Sequence, residues 1–194
     1  MVGVHRVTTL LVVVVVSSLA LGVGAVSASE SPIEVFPHLD EDTNYVNDFG
    51  VFVRDRVHMG IDIFSPKGTP VVAVADGFVS RMSRGTTAGY YLVLRHADGW
   101  ETFYLHLNND VNRDDGRGGW GTAFAEGIEP GDYVEAGTVI AYVGDSGNAE
   151  STPSHTHFEL HRNGRAVDPW PYVDRAMDLW VLRTSISEGK TPFR

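Results

Sequence analysis

The sequence predicts an all-β fold, a compact antiparallel sandwich or small barrel with a short helix near its C-terminal end. Three observations lead to this prediction. Glycine occupies 21 of the 194 positions, which suits tight turns better than a helical bundle. Short apolar segments recur at a spacing typical of sandwiches and barrels. Turn dipeptides separate several of these segments, as at Asp76-Gly77, Asp98-Gly99 and Asn163-Gly164.

The candidate strands are short segments in which apolar or β-branched residues dominate, or alternate with polar ones. In chain order they are residues 61–64, 71–75, 78–79, 91–95, 102–107, 133–143 and 156–160. An Asp-Pro and a Trp-Pro pair mark the start of the one predicted helix, over residues 171–179. The polar, glycine-rich stretch 108–130 is longer than an ordinary connection, and we interpret it as a functional or disordered loop.

The N-terminal segment has the features of an export signal. Arg6 gives a positive start, residues 10–16 are all apolar, and small residues accumulate toward Ala28. This pattern predicts a signal peptide over residues 1–28 that is cleaved after Ala28. The alternative is an uncleaved membrane anchor, since the apolar stretch nearly reaches spanning length. A leader (29–44), a domain (45–175) and a tail (176–194) follow, and all are expected to work outside the cytoplasm.

Charge and composition exclude several functions. The formal net charge of −10 argues against nucleic acid as a partner, because nucleic-acid binders usually carry a basic face. An acidic groove would also favour neutral or amine-bearing substrates over acidic ones. The chain has no cysteine, so disulfides and cysteine-bound metals are excluded. Any metal site must therefore use histidine and carboxylate ligands.

His155 and His157 form the first candidate site. Residues two apart in a strand point to the same face and lie about 6.6 Å apart, so both imidazoles can serve one metal site. Glu159 falls on that face too, either as an acceptor that orients a ligand or as a surface carboxylate, the reading we prefer. The alternate positions 156, 158 and 160 are expected to face the core.

His58 and Asp62 form the second candidate pair. In a fully extended chain their side chains would lie about 13 Å apart, too far to share a zinc ion whose bonds are about 2 Å long. Gly60 lies between them and permits the chain to bend. A turn that contains only a His58–Asp62 hydrogen bond is the alternative.

Of the other histidines in the predicted domain and leader, only one is a candidate for the metal site. His106 follows an aromatic strand and precedes the long loop, so we count it with the candidate site. His38 has no partner at an informative spacing, and His96 and His161 precede turns, so we assign these three no specific role. With the two pairs above, His106 completes a set that can supply three ligands and two further bases. Three protein ligands leave a fourth position for water, as in catalytic zinc sites.

These residues and their neighbours resemble the lysostaphin-like (LytM-type) zinc endopeptidases, which cut peptide bonds in peptidoglycan. The resemblance rests on His58-Met59-Gly60-Ile61-Asp62 and on Ser154-His155-Thr156-His157-Phe158-Glu159-Leu160. Further matching segments, in the family's order, are 47–50, 68–73, 75–77, 102–107, 131–144 and 168–169.

The resemblance implies one zinc ion held by His58, Asp62 and His157, with His106 and His155 lining the site as catalytic residues. It also implies a groove across one sheet of a compact antiparallel β structure, and a peptidoglycan peptide as the substrate. The stretch 108–130 is longer than in compact members of the family, and we expect it to form one wall of the groove.

The sequence departs from the family pattern beside the metal. Thr156 replaces the usual leucine and Pro153 is displaced by one position, but residue 156 faces away from the metal. No His-Glu-x-x-His motif occurs, so either His106 or His155 must replace the glutamate base of thermolysin-type enzymes.

Two alternative functions are compatible with parts of the sequence. A non-catalytic cell-wall-binding or amidase-activating protein of the same fold would share these motifs. Residues 110–121 resemble the start of a calcium loop, but Gly116 comes one position late and Gly121 stands where a glutamate is required. We therefore prefer a solvated acidic loop there. We expect a monomer, with membrane contact only if the N-terminal segment is uncleaved.

Overall fold

The computed structural model describes residues 32–40, 42–53, 56–111 and 116–188. The predicted signal peptide, residues 1–28, lies outside these ranges. The described residues form twelve strands, two helices and short 3-10 turns at Ala97–Gly99 and Gly147–Ala149. The strands are β1 (Asn44–Tyr45), β2 (Phe52–Val53), β3 (Arg56–Val57), β4 (Ile61–Phe64), β5 (Pro70–Val72), β6 (Gly77–Gly85), β7 (Gly89–Arg95), β8 (Trp100–Leu107), β9 (Tyr133–Val134), β10 (Val139–Tyr142), β11 (His155–Arg162) and β12 (Arg165–Val167). The helices are α1 (Trp120–Ala123) and α2 (Trp170–Ser187).

One large antiparallel sheet dominates the fold. Its strand order is β1-β4-β11-β8-β7-β6-β9, and β12 pairs with the end of β11. Strands β5 and β10 form a second, two-stranded sheet, and β2 and β3 form a separate hairpin. The mostly-β prediction with an antiparallel sheet is therefore confirmed.

Alternation along the central strands separates a core face from an exposed face. In β11, residues 156, 158 and 160 are fully buried, as predicted, and in β4 Ile61 and Ile63 are fully buried too. Tyr104 of β8 shares the core with Phe158, their rings 5.3 Å apart. Val71 of the small sheet joins the same hydrophobic cluster. The polar residues of β4 and β11 consequently share the opposite face of the sheet.

The continuous strand predicted over residues 133–143 is wrong. The chain turns between β9 and β10, where Gly137 has φ +86°, a conformation that glycine adopts without strain. β9 then pairs with β6 in the large sheet, and β10 pairs with β5 in the small one. Asp76 fixes this crossover, because its carboxylate accepts hydrogen bonds from the Ala136 amide and the Tyr133 hydroxyl, each at 2.8 Å.

The leader predicted to precede the domain is part of it. Ile33 and Phe36 are buried in the hydrophobic core. His38, to which no role was assigned, is buried too, and its ring bonds Ser65 Oγ at 2.8 Å and Thr156 Oγ1 at 3.0 Å. Burial lowers the pKa of His38 to about 3, so its ring is a neutral link between the leader and β11. Sequence spacing gave no signal of a contact between residues 38 and 156.

The C-terminal helix is longer than predicted, and the proposed tail beginning at residue 176 is wrong as far as Ser187. Val173 and Ala176 are buried, while Met177 and Trp180 pack against the core. These positions follow the i, i+3, i+4, i+7 pattern of one helix face, a sequence signal that the prediction missed. Within the ranges described by the structure, no helix is both long and apolar enough to cross a membrane.

Candidate metal centre

A groove of about 810 Å³ crosses the exposed face of the large sheet. The β2–β3 hairpin borders it through Val53 and Val57, and the segment before β11 borders it through Asn148 and Pro153. None of the described residues of 108–130 lines the groove, so for these residues the expectation that the stretch forms a wall is wrong. The end of α1 instead packs inward, with Ala123 and the following Phe124 buried in the core.

Three predicted ligands converge at the floor of this groove. His58 Nε2 lies 3.2 Å from Asp62 Oδ1, and His157 Nδ1 lies 3.0 Å from the same oxygen. The ligand atoms of all three residues lie within 4.8 Å of one another. Ligands of a tetrahedral zinc ion with bonds of about 2 Å stand about 3.3 Å apart. The donor atoms and their spacing therefore fit a small dication without a change of fold.

Strand register explains how residues far apart in sequence meet. His157 of β11 stands directly opposite Asp62 of β4, so the two side chains share one face of the sheet. His58 reaches Asp62 from the other direction, because the chain bends between β3 and β4 at Gly60. The bend that the sequence required is present.

Gly60 is also needed for a second reason, close packing. A Cβ at this position would stand 2.2 Å from the carbonyl oxygen of Phe158 in β11. Backbone cannot move aside as a flexible side chain can, so only glycine allows the bend to press against the strand that carries His157.

Replacing Gly60 by alanine is expected to destabilise the fold by about 1–3 kcal/mol or more, as overpacking does, and to lower zinc occupancy. Denaturant unfolding and metal analysis of the purified protein measure both effects. Gly121→Ala is the matched control, because a Cβ there meets nothing within 4 Å. Equal stability of the two variants would contradict the packing argument.

The electrostatics of the three residues favour a cation among them. Burial opposes the charged form of His58, but hydrogen bonds with Asp48 and Asp62 outweigh it and raise its pKa to about 10. Burial likewise opposes ionisation of Asp62, yet its bonds to His157 and His58 hold its pKa well below the usual range. His157 Nδ1 and Asp62 Oδ1 lie close enough to share a proton, and a metal ion bound at this point would replace that proton.

Glu159 is not the surface carboxylate that we preferred from the sequence. Its Oε1 lies 3.0 Å from His157 Nε2 and its Oε2 lies 2.6 Å from His161 Nε2. Burial opposes ionisation of Glu159, but these two hydrogen bonds outweigh it and lower its pKa to about 2. His157 can donate Nε2–H to Glu159 while its Nδ1 faces Asp62, where it would bind a metal ion in place of a proton; a carboxylate commonly orients a metal-binding histidine in this way. Strand alternation could have indicated His161, which we had assigned to a turn.

Replacing Glu159 by glutamine is expected to weaken zinc binding about 10–100-fold, the usual effect of losing such an acceptor. The glutamine amide keeps the size of the side chain but not its negative charge. Competition with a chromogenic chelator measures the affinity. Glu126→Gln, on the exposed loop after α1, is the control and should bind zinc as the unmodified protein does. A Glu159→Gln affinity equal to that of the control would exclude the orienting role.

His106 enters the groove because of a bulge in β8. Tyr90 of β7 pairs with Leu107 and Leu92 pairs with Tyr104, so two residues of β8 stand opposite one residue of β7. His106 takes the extra place with φ +60°, which re-aims its side chain toward the groove. Regular alternation would instead have placed it opposite Leu105, toward the core.

The rings of His106 and His155 lie side by side, with centroids 5.1 Å apart. His106 Nδ1 lies 2.9 Å from the Ser146 carbonyl, and His155 Nδ1 lies 2.8 Å from the Pro153 carbonyl. A carbonyl only accepts, so each Nδ1 carries a hydrogen, and the neutral form of either ring has its lone pair on Nε2. Burial, with the neighbouring His155, lowers the pKa of His106 to about 4, which keeps that ring neutral at pH 7.

A second group of carboxylates lies where a solvated acidic loop was expected. Donor atoms of Asp110, Asp145 and Glu150 approach within 4.8 Å of one another. Asp110 is largely buried and not solvated: it pairs with Lys67 and accepts from the Gly116 amide at 2.6 Å. Lys67 also pairs with Asp145 at 2.7 Å, so an ammonium group supplies positive charge to this cluster. The absence of calcium there stays a prediction.

Comparison with known proteins identifies the family. Residues 56–169, more than half of the chain, match the model of peptidase family M23. The chain belongs to peptidase family M23. The matched span contains His58, Asp62, His106, His155 and His157, and the family suggested by these motifs is confirmed.

Two curated relatives of this chain have the names of proteases or peptidases. A DD-carboxypeptidase/endopeptidase of Neisseria meningitidis is 40% identical over 116 residues, which are 59% of this chain and 22% of that protein. An uncharacterised metalloprotease of Haemophilus influenzae is 37% identical over 117 residues, 60% of this chain and 21% of that protein. The chain therefore spans about a fifth of the length of these curated relatives.

A solved structure shows the same fold. The catalytic domain of lysostaphin, an antimicrobial peptidase from Staphylococcus simulans, superposes with a TM-score of 0.51 at 27% identity. The superposition covers 68% of this chain and 91% of that domain. The predicted antiparallel fold of the lysostaphin type is thus confirmed.

Proposed function

We propose that this chain is a zinc-dependent endopeptidase that hydrolyses peptide bonds in peptidoglycan, in its stem peptides or its cross-bridges. The observation that carries the proposal is the convergence of His58 Nε2, Asp62 Oδ1 and His157 Nδ1 at the floor of an open groove. The M23 family and the peptidase names of its relatives support the reaction class.

The three side chains would hold one zinc ion, which when bound supplies a Lewis acid that polarises a carbonyl and makes a water molecule more acidic. His155 Nε2 lies 3.9 Å from Asp62 Oδ2, so it faces the same point as the ligands. The His106 ring contacts that of His155, with centroids 5.1 Å apart. The two lone pairs can accept the proton from the attacking water and return it to the leaving amine. Glu159 and His161 hold the His157 ring in place.

Purified protein loaded with zinc tests the proposal. We expect it to release soluble fragments from isolated cell walls, to lose this activity on chelation and to regain it when zinc is restored. Mass spectrometry of the fragments identifies the bond. Tight zinc binding without fragment release would contradict the proposal and favour a wall-binding or amidase-activating protein of the same fold.

We also propose that the chain is exported by residues 1–28 and cleaved after Ala28. The proposal is supported by the apolar stretch, by the small residues that end it, and by a relative that is named a peptidoglycan DD-endopeptidase. N-terminal sequencing of the exported protein should begin at Ser29. A protein that starts at Met1 and stays with the membrane would support the anchor instead.

A further inference from the structure

The groove contains one positive side chain that neither the metal centre nor the proposed proton transfers employ. Arg56 of β3 lines the groove and is exposed, and its side chain forms no hydrogen bond or ion pair with another described residue. It is also the only lysine or arginine among the residues that line the groove within the described ranges. The acidic residues of the lining, Asp62 and Glu159, are both bound by histidines. Among the described side chains that line the groove, the Arg56 guanidinium is therefore the one charged group without an opposite charge beside it.

The position of Arg56 relative to the metal centre follows from the hairpin. Val53 pairs with Arg56, and the ladder continues as His58 N donates to the Val51 carbonyl at 2.8 Å. Arg56 and His58 are two residues apart on an extended chain, about 6.6 Å from each other, and both line the groove. An extended peptide covers that distance in about two residues. A group bound by Arg56 would therefore lie about two residues from the bond that is cut.

The surroundings of Arg56 strengthen its interaction with an anion. Val53, Val57 and Met59 line the same groove, each about half exposed. A bound peptide would cover these apolar side chains and exclude water, and Coulomb attraction grows as the local dielectric falls. Guanidinium binds a carboxylate through two parallel hydrogen bonds, which gives both strength and direction.

We propose that Arg56 is a specificity-determining residue that binds a free carboxylate of the substrate about two residues from the scissile bond. This proposal rests on the peptidase function proposed above and defines its substrate class: peptides with free carboxylates, as opposed to uncharged oligoglycine. It differs from the expectation drawn from net charge. The −10 of the whole chain is spread over the surface, whereas attraction at contact distance is set by the nearest group, because charges beyond about 8–10 Å are screened.

Two matched probes test the proposal: a purified cross-linked muropeptide with free diaminopimelate carboxylates, and the same muropeptide with those carboxylates converted to amides. The unmodified enzyme is expected to cleave the carboxylate form with a kcat/KM roughly 10–100-fold higher, mainly through KM, the usual size of a charge-assisted hydrogen-bonded contact. Arg56→Gln should bring the ratio of the two forms close to one. Arg56→Lys, which keeps the charge but not the paired donors, should give an intermediate ratio.

Arg81→Gln is the matched control, since Arg81 is exposed on β6 and does not line the groove; it should keep the full preference. Equal cleavage of both probes by the unmodified enzyme, or a preference that survives in Arg56→Gln, would overturn the assignment of Arg56 alone. Failure of the zinc-loaded enzyme to cleave either probe would overturn the peptidase function. In that case the Kd for the two probes still decides whether Arg56 distinguishes carboxylate from amide.

Discussion

Replacing His157 by alanine is expected to remove zinc and to abolish hydrolysis of cell-wall peptides. His157 Nδ1 is one of only three donors that the described residues bring to the metal position, and two donors do not hold a zinc ion firmly. The loss removes several kcal/mol of transition-state stabilisation, which corresponds to a decrease in rate on the order of a thousandfold or more. Metal analysis and fragment release from purified walls measure the two losses together.

The matched control for this substitution is His96→Gln. His96 is also partly buried and hydrogen-bonded, to the Asp76 carbonyl and Thr102 Oγ1 at 2.8 Å each, but it lies outside the groove. His96→Gln should therefore lower the free energy of unfolding without changing the zinc content. Retention of zinc with full lytic activity in His157→Ala would refute the proposed ligand set.

The pairing of His155, His157 and Glu159 on one face could be predicted because it depends on strand alternation alone. Alternation is a local property, and the buried residues at 156, 158 and 160 follow the same rule. The family motifs added His58 and Asp62, and the bend at Gly60 made their meeting physically possible. What could not be predicted was the contact of Gly60 with Phe158, because it joins segments nearly one hundred positions apart.

The features that could not be predicted from the sequence depend on tertiary packing. His38 has no partner near it in sequence, and its bond to Thr156 exists only because the leader folds beneath β11. The stretch 108–130 was placed beside the groove on length and polarity, yet Phe124 draws it into the core. Burying one aromatic side chain stabilises the folded state by about 1.5–3 kcal/mol. This gain is enough to hold the end of the short helix against the core although the rest of the stretch is polar.

The orientation of His106 depends partly on local sequence and partly on tertiary structure. The histidine itself could be selected from its position after an aromatic strand, but its direction could not, because the bulge arises from the register between β7 and β8. The register is fixed by Ser146, whose Oγ accepts from the Tyr90 amide at 2.9 Å and donates to the Leu107 carbonyl at 2.6 Å. The left-handed backbone of His106 is therefore held from a separate loop.

Replacing His106 by asparagine is expected to leave zinc bound and to lower kcat about 10²–10⁴-fold, the usual contribution of a positioned proton-transfer group. Asparagine tolerates the φ of +60° at this position far better than alanine does, so the bulge should persist and the lost imidazole is tested separately from backbone strain. His106→Gly, which accepts this conformation without strain, provides a second variant free of any side chain. Zinc content near one per chain with turnover lost in both variants would assign His106 to proton transfer. Turnover close to that of the unmodified protein in either variant would exclude this role of His106. The proton transfer would then fall to His155, whose Nε2 lies near Asp62 in the described part of the groove.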